Sequence, residues 1–122
     1  MVLVDTSSWI HTFRRNGDPV VRARVERALL DGVACWCPLV RLELWNGAGG
    51  EREKKVLRDL ERVIPELPID ADVWDAAFEL ARRARAAGVT IPASDLLIAA
   101  CGRYHGADLE AADSDFDHIE GL

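Results

Sequence analysis

At 122 residues the chain has room for one domain with a real core, and not for two. Hydrophobic residues make up 49% of it, yet no apolar run approaches the roughly 18 residues of a membrane span. A net charge of −6 argues against general nucleic-acid binding, although the basic residues are almost all arginine: Arg14-Arg15, Arg22, Arg24 and Arg27, and Arg82, Arg83 and Arg85 lie in clusters.

Val2-Leu3-Val4 reads as a short central strand, apolar on both faces, and it stops at Asp5. It is too short for the core of a signal peptide, so the expectation is a cytoplasmic protein with no membrane segment. An acid at the carboxyl end of such a strand sits where open α/β sheets place their ligands. The structural alternative is that Asp5 or Thr6 only N-caps the helix that follows, Ser8 to Arg15. Trp9, Ile10 and Phe13 form the apolar side of that helix.

Asn16-Gly17-Asp18-Pro19 is a turn, with Asp18-Pro19 opening a helix that runs to about Asp31 and ends at Gly32. Val33 to Trp36 is a second buried strand. Pro38 starts a third helix that carries Glu43, and Gly47 to Gly50 breaks it. Glu51 to Arg62 is amphipathic. Val63 to Ile69 holds too many prolines for a central strand and reads as a connector or a short edge strand. Asp70 or Asp72 caps a long helix to about Ala87, closed by Gly88. Pro92-Ala93-Ser94-Asp95 opens a very apolar, hence buried, helix that Gly106 ends. Ala107 to Ala112 is a weak strand, and Asp113 to Asp117 a loop. Strands alternating with helices predict an α/β fold of three layers, a mainly parallel sheet flanked by helices.

Three cysteines, Cys35, Cys37 and Cys101, are an odd number and argue against a disulfide framework. Cys35-x-Cys37 lacks a second ligand pair at zinc spacing, so all three read as buried thiols.

In right-handed α/β units, strand carboxyl ends and helix amino ends share one edge. Asp5, Glu43, Asp95 and Asp113 all fall at or near that edge. Four carboxylates in one cleft repel each other and take up protons unless a cation sits among them. Oxygen ligands without His or Cys select hard cations, Mg²⁺ or Mn²⁺, the ions suited to phosphodiester hydrolysis. Asp95 has an alternative as a first-turn carboxylate, and Asp113 as a turn residue. Glu43 is hardest to dismiss, because a lone acid between Leu42 and Leu44 is costly unless paired.

The segments Val4-Asp5-Thr6-Ser7-Ser8-Trp9, Leu42-Glu43-Leu44, Pro92-Ala93-Ser94-Asp95-Leu96-Leu97-Ile98-Ala99-Ala100 and Asp113-Ser114-Asp115-Phe116 resemble the PIN domain. More closely, they resemble VapC toxins of bacterial type II toxin–antitoxin pairs. The likeness spans nearly the whole chain and implies a single PIN domain over residues 1–122. It implies a Mg²⁺- or Mn²⁺-dependent endoribonuclease giving 5′-phosphate and 3′-hydroxyl products. The catalytic and metal-binding acids it implies are Asp5, Glu43, Asp95 and Asp113, with Asp115 as an additional ligand and Thr6 or Ser7 as a hydroxyl close to the metal. It implies a homodimer and a VapB-type antitoxin, expected to cover Trp9, Ile10 and Phe13 and to send a basic side chain to the acids. Ala111 and Ala112 depart from the family pattern, which often has a Thr or Ser and then a basic residue there. The chain also stops soon after Ile119, so a last edge strand is expected to be rudimentary. A receiver domain is excluded, because it would need a second acid beside Asp5 and a Lys after the last strand. The remaining alternatives are a housekeeping RNA-processing nuclease and a non-catalytic nucleic-acid-binding module.

Overall fold

The computed structural model describes Met1–Leu122. Three parallel strands form the sheet in the order β2-β1-β3. They are β1 (Val2–Val4), β2 (Ala34–Cys35) and β3 (Asp108–Glu110). Six α-helices flank them: α1 (Thr6–Phe13), α2 (Pro19–Leu30), α3 (Pro38–Gly47), α4 (Glu51–Val63), α5 (Ala71–Ala86) and α6 (Ala93–Tyr104). The α/β fold with a parallel sheet is as the alternation predicts.

The registers Leu3↔Cys35 and Leu3↔Leu109 make β1 the central strand. Its apolar residues are buried on both faces: Leu3 and Val4 pack with Trp9, Trp36, Ile98 and Cys101 in one continuous core. Parallel strands need crossovers, and here α1 with α2, and α3 through α6, supply them. Helix ends follow the local chemistry. Asp18 accepts from Val20 N–H at 2.8 Å ahead of Pro19, and Asp70 accepts from Val73 N–H at 3.0 Å. Gly32, Gly88 and Gly106 take positive φ just beyond α2, α5 and α6.

The differences from expectation lie at boundaries. Helix α1 begins at Thr6 rather than Ser8, because Asp5 caps it directly. Strand β2 is Ala34–Cys35, shorter than Val33 to Trp36, and Trp36 instead bridges to Glu66, so the proline-rich connector does supply an edge bridge. Strand β3 is Asp108–Glu110 rather than Ala107 to Ala112: its partner β1 ends at Val4, and no strand remains to pair with Ala111. Asp113 to Asp117 is not an open loop. Ser114–His118 winds into a 3₁₀ helix, with Phe116 buried beneath it.

The three thiols are buried and unpaired. Cys35 Sγ donates to the Val2 carbonyl at 3.3 Å, and Cys101 Sγ lies 3.8 Å from the carbonyls of Leu67 and Pro68. No helix is long and apolar enough to cross a membrane.

Candidate functional site

Asp5 leaves β1 and caps α1 in one step. Its Oδ2 accepts from the Ser7 N–H at 3.1 Å and from the Ser7 hydroxyl at 2.7 Å. The capping role is therefore real, and it orients a carboxylate that is only 3% exposed. Burial pushes the Asp5 carboxyl up; the Ser7 bonds oppose this, and the charge of Asp113 adds to it.

The Ser7 oxygen has a second task. It accepts from the backbone N–H groups of Ala112 and Asp113 at 3.1 and 3.2 Å. One hydroxyl thus ties the Asp5 carboxylate to the segment that carries Asp113. Ala112 is held here through its backbone. Asp113 then caps the 3₁₀ helix, its Oδ1 accepting from Asp115 N–H at 2.9 Å. That geometry brings Asp115 back towards Asp113.

Asp95 arrives from the first turn of α6. Carboxylate oxygens of Asp95, Asp113 and Asp115 all lie within 4.8 Å of one another. Asp95 is pushed up to about 7 by burial first, then by the charges of Asp113, Asp5 and Asp115. Three oxygens at this spacing, with no His or Cys among them, fit a hard divalent cation, whose charge would offset the burial and repulsion that raise Asp95.

Glu43 lies outside this trio. Its Oε1 accepts from the Thr6 hydroxyl at 2.8 Å, so the residue after Asp5 reaches across to α3. Glu43 is half-buried, with Leu44 buried beside it. The expected apolar setting fails at Leu42, which is 64% exposed because it falls on the outer side of α3.

Trp9 also departs from expectation. It is fully buried between Phe13 and Trp36, with ring centroids at 6.0 and 6.2 Å, and offers a partner no surface. Ile10 and Phe13 remain half-buried and line a groove with Glu43.

Sequence reasoning missed Glu110. Its carboxylate accepts from the buried Ser8 hydroxyl at 2.8 Å and from Arg24 Nε at 2.6 Å, while its backbone carbonyl accepts from Asp5 N–H at 2.8 Å. It therefore fastens α1 and α2 to the end of β3, beside Asp5. The available signal was an acid between the apolar Leu109 and Ala111. Arg24 is accounted for by this pair, and Arg27, Arg41, Arg82 and Arg83 pair with surface acids.

The family model of the PIN domain matches residues 2–122. Ribonuclease VapC11 of Mycobacterium tuberculosis is 35% identical over 123 residues, covering 98% of this chain and 91% of the relative. VapC ribonuclease Mb1587 of Mycobacterium bovis matches with the same identity and coverage. Among solved structures, DNA-bound VapBC from Salmonella typhimurium superposes with a TM-score of 0.82 at 21% identity, covering 99% of this chain and 93% of the other. Mycobacterium tuberculosis VapC20, described as a sarcin-ricin loop cleaving toxin, gives 0.73 at 22% identity, covering 98% of this chain and 95% of the other. At these identities the structural likeness carries the fold.

Proposed function

The chain belongs to the PIN-domain family, and we propose that it is an endoribonuclease of the VapC type, acting as the toxin of a type II toxin–antitoxin pair. The observation that carries this reading is the grouping of Asp95, Asp113 and Asp115 within 4.8 Å, with Asp5 fixed beside them through Ser7. The 35% identity to ribonucleases over almost the full chain supports the same reaction.

Asp95, Asp113 and Asp115 would hold Mg²⁺ or Mn²⁺, with Asp5 at its border and Glu43 kept close by Thr6. When bound, such an ion supplies Lewis acidity to the phosphoryl oxygens. The chain's own part is placement. Ser7 fixes Asp5 against the Asp113 segment, and Glu110 fastens the start of α1 to β3. The Asp95 carboxyl, raised to about 7, would give up its proton more readily beside the cation, so that the charged site forms together with the metal. In the proposed hydrolysis a water oxygen bonds to phosphorus, the bond to the 3′ oxygen breaks, and the proton lost by water ends on that oxygen. The products are a 5′-phosphate and a 3′-hydroxyl.

A VapB-type antitoxin is the proposed partner, in line with the VapBC complexes among the structural neighbours, and the acting form is proposed to be a cytoplasmic homodimer. Sequencing the 5′ ends of RNA after brief induction tests the reading, beside an Asp5→Asn control. New 5′-phosphate ends are expected with the wild type only, and cleavage of purified RNA should stop with EDTA. Undiminished cleavage in excess chelator would refute the metal assignment.

A further inference from the structure

Five of the thirteen arginines pair with acids; of the rest, Arg14, Arg15 and Arg52 gather at one groove. Arg14 and Arg15 follow the end of α1, and Arg52 lies in the first turn of α4. All three are exposed and form no ion pair. Together with Phe13 they line a cleft of about 450 Å³. It adjoins a second cleft of about 220 Å³ that shares Phe13, Arg14 and Glu53 and reaches Glu43. The two make one path running from open solvent to an acid of the proposed active site.

The turn that presents Arg14 and Arg15 is built to hold its shape. One Arg22 guanidinium nitrogen donates to the carbonyls of His11, Arg14 and Arg15. His11 Nδ1 accepts from Asp18 N–H at 3.0 Å. Gly17 packs so tightly that an added Cβ would sit 1.8 Å from the His11 carbonyl oxygen. The other acid of the path, Glu53, accepts from the Gly49 N–H at 3.2 Å. In a chain of net charge −6, three guanidinium groups lining one cleft, against the single acid Glu53, concentrate positive charge there and favour an anion. Phe13 adds an apolar ring face within the same cleft, half-buried and stacked on Trp9. Guanidinium groups beside an aromatic face are the combination that grips single-stranded nucleic acid.

We propose that Arg14, Arg15 and Arg52, with Phe13, form a track that binds the phosphodiester backbone of single-stranded RNA and leads it past Glu43 to the acids. The proposal rests on the ribonuclease reading and deepens it: it fixes the side from which substrate enters. These are positioning residues, contacting phosphates remote from the scissile bond.

The test measures binding apart from cleavage. A labelled oligouridylate of about 12 nucleotides is titrated, in EDTA and in an Asp5→Asn background, at several salt concentrations. R14Q, R15Q and R52Q should each weaken binding, and the triple variant by at least about tenfold at low salt, its salt slope falling by roughly 0.7 for each lost contact. R82Q, which removes the same charge from α5 outside the groove, is the control and should bind as the parent does. Circular dichroism verifies that the exposed substitutions leave the fold intact. Equal affinity and slope for parent and triple variant would overturn the track and leave the groove to a protein partner, while RNA cleavage by the wild type would still stand. Weakening by R82Q equal to that of the groove variants would overturn it too, since overall charge would then explain the binding. If the wild type cut no RNA but the track variants lost binding, the ribonuclease reading would fail and the track would remain.

Discussion

The Thr6 hydroxyl donates to Oε1 of Glu43 at 2.8 Å, so the residue that follows Asp5 holds the α3 carboxylate to the site. Nothing else in the structure bonds the Glu43 side chain. Thr6→Val keeps the shape and removes the donor. Groups that orient ligands in this way are typically worth about 10–100-fold in metal affinity or activity. The expected outcome is a cleavage rate lowered about tenfold or more at fixed Mg²⁺, with Thr6→Ser close to wild type. A Thr6→Val enzyme as fast as the parent would show that Glu43 is held some other way.

Ser7 is a joint between two parts of the site, since its oxygen meets Asp5 on one side and the Ala112 and Asp113 amides on the other. Ser7→Ala removes all three bonds. A stability loss of about 1–3 kcal/mol is expected, because the buried Asp5 carboxylate loses a bond and the Asp113 segment loses its tie to it. The Asp5 carboxyl should rise further, since the Ser7 hydroxyl bond is the largest of those that oppose its burial. Denaturant unfolding gives the first quantity. Carboxyl chemical shifts followed against pH give the second, and an Asp5 titration unchanged by Ser7→Ala would contradict it.

Asp113 and Asp115 should differ. An extended segment would point both to one side, but the 3₁₀ helix places them by a cap instead. Asp113 is fixed from behind through Ser7, while Asp115 depends on the Asp113 cap for its position. Asp113→Asn keeps an oxygen for the cap, so it should fold normally and lose nearly all cleavage. Asp115→Asn should lose less and recover in part at high Mn²⁺. Metal titrations of cleavage rate for both variants decide the ranking, and the reverse order would exchange their roles.

Much of this was legible in the sequence for a physical reason. Asp5, Asp95 and Asp113 sit at points where a strand or helix begins or ends, and caps and strand ends leave strong local signals. The apolar run of β1 and the glycines after α2, α5 and α6 are equally local. What was not legible depends on pairing across the chain. The length of β3 is set by where β1 stops, not by the residues Ala107 to Ala112 themselves. Glu110 acts through Ser8 and Arg24, distant in sequence, and no local pattern announces such a partnership. The burial of Trp9 and the exposure of Leu42 are not local either, because an apolar side chain on a short helix does not reveal which side faces the core.

Asp95 supplies a test that needs no RNA. Its carboxyl is raised to about 7 by burial and by the charges of Asp113, Asp5 and Asp115. In the unfolded chain an aspartate loses its proton near its ordinary value, about 3.9. Between those two values the unfolded chain has released the proton and the folded one has kept it, so ν_U is smaller than ν_N and stability falls as pH rises. Above about pH 7 both forms are ionised and the full penalty is present, while below about pH 4 both are protonated and it vanishes. Asp95→Asn carries no such charge. In EDTA the variant should therefore melt at a higher temperature than wild type at about pH 8, with the gap closing towards pH 4. Mg²⁺ should reverse the order at pH 8, because only the wild type gains from binding it. Protons compete for the same oxygens, so Mg²⁺ affinity of the wild type should rise with pH and level off above about 7. Melting curves at several pH values, with and without Mg²⁺, measure both effects. If Asp95→Asn shifts the melting temperature equally at pH 4 and pH 8, the penalty does not come from ionisation of Asp95.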